Sequence, residues 1–258
     1  MEKMQRNNSN NKINRPPEGR YIMGKNCIEE VIKFSPKRVK KIFFVNEDYE
    51  LMKKIENLRI PYQTISKVEM TRLVNSESHQ SIVALVSERV FPDFTDYLNL
   101  SWEKDNDLIL VLDSINDPQN LGTLLRCAEC FGAGAVLWSK NRGSDITPVV
   151  SKASVGASEL VTIIKVSNLV ESVKKAKTEG YVVITAEVGD NTIAIDTFDF
   201  PKKTVLIMGS EGEGVRQLLS KQADYKIYIP MQGAIDSLNV SQATTVFLYQ
   251  WRNSIEQI

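Results

Sequence analysis

From Asp107 onward the chain alternates short apolar runs with amphipathic stretches, and no other feature restricts its folding as much. The runs are 108–112, 135–138, 160–164, 181–185, 204–208 and 225–229, with helical patterns between several of them, notably 167–177 and 215–221. Strands that read as unbroken apolar runs are buried on both faces, so the pattern predicts an α/β fold with a mostly parallel sheet covered by helices. Ligands bind such sheets at the carboxyl ends of the strands. The loops that leave those strand ends therefore carry the functional information.

Upstream lies a smaller α/β pattern, placed at 19–90. A helix over 26–33, a strand over 40–45, a helix over 47–58 and a β-rich run over 81–87 are expected there. Residues 91–106 show no clean period and read as a linker, leaving 107–258 as the larger domain. Residues 1–18 are rich in Asn, Lys and Arg and poor in large apolar side chains, so a disordered basic tail is expected.

The formal net charge is zero, but residues 1–41 hold eleven basic against four acidic side chains, a net of +7. A polyanion contact would be concentrated at that end; incidental lysines on a solvated tail are the other explanation for residues 1–18. No apolar run reaches the length of a membrane span and the amino terminus is polar, so neither a membrane span nor a secretory signal is expected. Three cysteines form no even disulfide framework, which fits a reducing cytoplasm. Cys127 and Cys130 form a CxxC within an expected helix, outside any thioredoxin-like context. His79 is the single histidine, which leaves no Ser-His-Asp set and no plausible metal cluster.

Three loops stand out. After 108–112 comes Asp117-Pro118-x-Asn120-x-Gly122-x3-Arg126. Asp117 supplies an N-cap acceptor and Pro118 a first residue that needs no N–H partner. Leu121, Leu124, Leu125 and Ala128 form the buried stripe, with Gly122 and Arg126 on another face. Either Arg126 lies back over Gly122 toward the helix mouth, or Gly122 permits close backbone packing and Arg126 is merely exposed. After 204–208 comes Gly209-Ser-Glu211-Gly212-Glu213-Gly214, without the Gly-Lys-Ser/Thr ending of a P-loop. Its two glutamates would repel phosphates. After 225–229 comes Pro230-Met231, then Ser237-Leu238-Asn239 opening a helix, where Ser237 and Asn239 are either caps or site residues.

In order and position, the three loops resemble the three motifs of the SpoU ribose methyltransferases of the SPOUT superfamily. The N-terminal part, with Gly24-Lys25-Asn26, is similar to the ribosomal-protein-like RNA-binding domain of the bacterial 23S rRNA guanosine methyltransferases. Those enzymes often carry His-Gln-Gly where this chain has His79-Gln80-Ser81. The resemblance implies transfer of a methyl group from S-adenosylmethionine to a ribose 2′-hydroxyl of RNA, 23S rRNA first and tRNA second. It also implies a deep trefoil knot and a homodimer. It places Thr185, Gly209, Ile229, Met231 and Leu238 around the cofactor, and Asn120, Arg126, Glu211, Ser237 and Asn239 at the catalytic centre. An arginine is the family's proposed base, yet deprotonating a free guanidinium at pH 7 costs about 8 kcal/mol. The alternative has Arg126 hold a phosphate and stabilise the forming alkoxide. A non-catalytic RNA-binding protein that kept the fold is the competing reading, and the intact motif residues argue against it.

Overall fold

A computed structural model describes residues 19–141 and 143–256. The basic tail assigned to residues 1–18 lies outside them. The first unit contains β1 (Arg20–Met23), α1 (Lys25–Phe34), β2 (Val39–Phe44), α2 (Tyr49–Asn57), β3 (Tyr62–Thr64), α3 (Lys67–Val74) and β4 (Ile82–Val86). Its strands form one sheet in the order β1-β4-β2-β3. Ile22, Ile28, Ile42, Phe44, Leu51 and Ile55 fill the core on one side, and Met23, Met70, Val74 and Val83 pack on the other. His79 belongs to this scaffold. Its Nδ1 accepts from Ser81 N at 3.0 Å and its Nε2 faces Thr71 Oγ1 at 3.2 Å, while burial lowers its pKa from the ordinary value.

The stretch 91–106, expected to be an aperiodic linker, contains a helix. α4 (Phe94–Ser101) is N-capped by Asp93 and buries Phe94, Tyr97, Leu98 and Ser101. Those four positions follow an i, i+3, i+4, i+7 stripe, so the helix closes one face of the larger domain instead of spanning a gap.

That domain continues through β5 (Asp107–Asp113), α5 (Pro118–Cys130), β6 (Ala135–Ser139), α6 (Pro148–Ala153), α7 (Ala157–Leu160), β7 (Ile163–Val166) and α8 (Leu169–Thr178). It ends with β8 (Val182–Ala186), β9 (Ile193–Ala194), β10 (Lys203–Gly209), α9 (Gln217–Ser220), β11 (Tyr225–Tyr228) and α10 (Val240–Glu256). The seven strands lie in the order β7-β6-β5-β10-β8-β11-β9, with every pair parallel. Two cores cover the two faces: one under α5 and α10, the other under α4 and α8. The apolar run expected as a strand over 160–164 is shifted, since Leu160 closes α7 and the strand begins at Ile163. The helix expected over 215–221 is a single turn.

α5 begins as its sequence dictates, with the Asp117 carboxylate accepting from Asn120 N at 2.8 Å. Gly122 is a close-packing position. A Cβ there would lie 2.4 Å from the Ala153 Cβ, so α5 and α6 touch backbone to backbone. Arg126 does not lie over it; the guanidinium is exposed and makes no hydrogen bond or ion pair with the described residues. Of the two explanations for the Gly122–Arg126 spacing, close packing holds.

Candidate active site

The carboxyl ends of β8, β10 and β11 surround a cavity of about 560 Å³. Met208, Ile227, Ile229, Val240 and Phe247 supply its apolar wall, and Gly209, Glu211, Met231, Ser237 and Leu238 also line it. Of the five residues expected around a cofactor, four are therefore there. Thr185 is not among the lining residues. It pairs in register with Ile207, a member of the core on the opposite sheet face, and is fully buried with its hydroxyl unpartnered. Strand alternation turns its neighbour Ala186 to the cavity instead.

The glycine-rich loop after β10 doubles back on itself. Gly214 N donates to Ser210 O at 3.0 Å, and a Cβ on Gly209 would fall 2.1 Å from the Gly214 carbonyl carbon. The far end of the loop is clamped by a buried carboxylate. Asp113, at the end of β5, accepts from Arg216 N at 2.9 Å and from Arg216 Nε at 2.7 Å. This pair is absent from the sequence-based expectations, as are Ala186 and Asp236, which also line the cavity. The signal for Ala186 is its place directly after the run 181–185, a strand end like the other three.

At the rim, the three motif loops meet in one hydrogen-bonded cluster. Asn120 Nδ2 donates to Glu211 Oε1 at 3.0 Å, and Asn239 Nδ2 donates to Asn120 Oδ1 at 3.0 Å and, more closely, to Glu211 Oε1. The amide orientation of Asn239 follows from α10, because Asn239 Oδ1 accepts from Ser241 N at 2.9 Å. Its NH2 group must then face the other two side chains. Asn239 thus caps α10 and joins the cluster at once, so capping, one of the two alternatives in the sequence, does not exclude a place at the rim. Glu211 Oε2 bonds none of the described residues and is left as a free acceptor. Ser237 is exposed at the mouth with no side-chain partner. Arg126 stands apart from the cluster, six residues along α5 from Asn120, or about 9 Å of helix rise.

The charge of the lining discriminates between ligand classes. Glu187, Glu211 and Asp236 contribute to it, and among the described residues no lysine or arginine does. Such a cavity repels phosphates and suits a neutral or cationic ligand. Among the described residues no group of three or more His, Cys, Asp or Glu could hold a metal ion, and no helix is long and apolar enough to cross a membrane.

A parallel α/β sheet with an apolar, acid-lined cavity at its strand ends and an amide–carboxylate cluster at the rim has the build of a small-molecule-binding α/β protein. The SpoU rRNA Methylase family matches residues 107–249, and an RNA 2′-O ribose methyltransferase substrate-binding family matches residues 21–91. A Haemophilus influenzae protein named 23S rRNA (guanosine-2′-O-)-methyltransferase RlmB is 32% identical over 234 residues, 89% of this chain and 95% of that one. The SpoU methyltransferase AviRb of Streptomyces viridochromogenes, solved with AdoMet, superposes with a TM-score of 0.75 at 20% identity, covering 92% of this chain and 91% of that one. An A. aeolicus TrmH/SpoU tRNA modifying enzyme, 26% identical with a TM-score of 0.54, covers 64% of this chain and 83% of its own. This chain belongs to the SpoU rRNA methylase family and is an RNA methyltransferase.

Proposed function

We propose that the chain transfers a methyl group from S-adenosylmethionine to the ribose 2′-hydroxyl of a guanosine in 23S rRNA, acting in the cytoplasm. The observation that carries this reading is the rim cluster of Asn120, Glu211 and Asn239 beside a cavity without cations. When bound, the cofactor supplies an electrophilic methyl group on a positively charged sulfur, and the cavity's apolar wall and acidic lining fit that charge. Gly209, Ile229, Met231 and Leu238 would hold it there, with Ser237 bonding cofactor or ribose at the mouth.

Glu211 Oε2 and the second amide hydrogen of Asn120 are unengaged within the cluster, one acceptor and one donor, which suits a ribose hydroxyl. Holding the attacking oxygen near contact supplies much of the rate. Arg126 is assigned an electrostatic role. Its exposed guanidinium, on the same helix as Asn120, would hold the adjacent phosphate and stabilise the developing alkoxide while solvent takes the proton. Ribosomal RNA is favoured over tRNA by the first domain, which matches a substrate-binding family, and by the likeness to a 23S rRNA enzyme over 89% of the chain.

Incubation with cofactor labelled on the methyl group should place alkali-resistant label at a guanosine of 23S rRNA. Label confined to tRNA would reassign the substrate, and no label in either RNA from protein that binds the cofactor would remove the proposed reaction.

The domain is proposed to form the family's deep trefoil knot, a reading supported by the insertion of β10 between β5 and β8. It is also proposed to be a homodimer. α5 and α10 run side by side, joined by Asn239–Asn120 at one end and Cys127–Thr245 at 3.0 Å further along. Their outward face carries Thr123, Arg126, Cys130, Gln242, Val246 and Tyr249, a strip with Arg126 as its charged member that a two-fold contact would cover. Sedimentation should give twice the chain mass of 29.1 kDa, and a monomer at micromolar concentration would contradict the dimer.

A further inference from the structure

The antiparallel register of the first sheet brings three arginines to one corner. Arg20 opens β1 opposite Val86, Arg38 immediately precedes Val39, which also faces Val86, and Arg89 comes just after the end of β4. All three reach into the catalytic domain at one place. Glu159 on α7, buried, forms ion pairs with Arg20 and with Arg38, the latter at 2.9 Å. Arg89 donates to the carbonyl oxygens of Ser158 and of Val161, the latter at 2.6 Å, and burial pulls its pKa down to about 10. The turn that presents Glu159 has left-handed backbone at Val155 and Gly156, and a Cβ on Gly156 would lie 3.1 Å from Glu30 Cβ and 3.3 Å from the α1 backbone at Cys27. Val149 of α6 packs onto the core around Met23 and Met70.

We propose that Glu159 is a positioning residue for the methyl transfer: it locks the RNA-reading domain to the catalytic domain and so fixes how the substrate is presented to the rim. This rests on the reading of residues 19–90 as the part that holds RNA. Both ion-pair partners of this buried charge come from the other domain; its own domain supplies only the Ser158 hydroxyl, donating at 3.3 Å. Removing it leaves guanidinium groups buried without a counter-charge, which favours undocking. Each domain keeps its own core, so undocking need not unfold either.

The test is Glu159→Gln in the full-length chain, with Arg38→Gln as a second variant in case the first fails to fold. Small-angle scattering should show a larger, broader particle than wild type. On rRNA, kcat should fall about tenfold as presentation is lost, with Kd for RNA and for S-adenosylmethionine within about twofold of wild type. The double variant should be no worse than either single one, because both open the same lock. Unchanged scattering would overturn the lock itself. Opened scattering with wild-type kcat and RNA affinity would show that domain orientation does not matter, whereas wild-type RNA affinity after deletion of residues 1–90 would remove the RNA-reader premise. A fall in cofactor affinity parallel to kcat would make Glu159 an ordinary structural part of the catalytic domain.

Discussion

Replacing Gly209 with alanine should abolish measurable S-adenosylmethionine binding while the protein stays folded. The added methyl would stand 2.1 Å from the Gly214 carbonyl carbon, 2.2 Å from its oxygen and 2.3 Å from Val215 N. All three are backbone atoms, so no side-chain rotation relieves the clash. The loop cannot slide away as a unit either, because Arg216 is tied at its backbone N–H and at Nε to the fully buried Asp113. The loop must distort where it lines the cavity, at Ser210, Glu211 and Gly212. An affinity loss of about 100-fold or more, some 2.7 kcal/mol, is expected by calorimetry. The circular dichroism spectrum should hold, since the clash is confined to a surface loop. A Kd within about threefold of wild type would show that the loop is not part of the cofactor site.

The second large effect is expected at Glu211. Its Oε1 receives the amides of both Asn120 and Asn239, so it sets the relative placement of two helix mouths. Alanine at this position frees both side chains, and a fall in kcat of about 100-fold is expected, comparable to loss of one preorganised hydrogen-bonding group. Glutamine keeps a carbonyl oxygen in the place of Oε1 but puts an NH2 donor where Oε2 would accept from the ribose hydroxyl, so it should recover part of the rate and stand between alanine and wild type. If glutamine proved as poor as alanine, the carboxylate charge and not the geometry would be what the reaction uses, and the positioning role would fall. Cofactor affinity measured on both variants separates this from damage to the cavity wall.

The motif loops are legible in the sequence because each rests on local rules. Asp117 and Pro118 announce the start of α5, and of the periodic stripe Val240, Ala243, Thr244, Phe247, Leu248 and Trp251 along α10 all but the half-buried Ala243 are buried. α4 is legible too, although the expectation there is a linker. Asp93 as a cap followed by Phe94, Tyr97, Leu98 and Ser101 is a short amphipathic helix, hidden only by the irregular residues on either side. Thr185 lies off the cavity lining for a different reason. The resemblance assigns the right strand end, but alternation along β8 sends Val183 and Thr185 to one face and Ile184 and Ala186 to the other, and the cavity opens on the second. Gly122 cannot be resolved from sequence. Whether a helical glycine receives a side chain or a neighbouring backbone depends on α6, whose approach is a tertiary fact. The Glu159 ion pairs are invisible for the same reason, since they depend on register in one sheet and docking against the other domain.

The strand order has a consequence for how the chain is made. β5 and β10 are hydrogen-bonded along their whole length at the centre of the sheet, yet residues 114–202, more than half of the catalytic domain, lie between them in sequence. On the ribosome, β5, β6 and β7 emerge and can associate while β8 has no partner, because its neighbours β10 and β11 are still to be translated. The first domain, with its own closed core, can be complete long before that. The catalytic domain must instead wait for its last third, and its central pairing closes a very long loop, which places it among slow, high-contact-order folders. Until release, the apolar edge of β5 is open to wrong partners, so nascent-chain protection bears most heavily on residues 107–202.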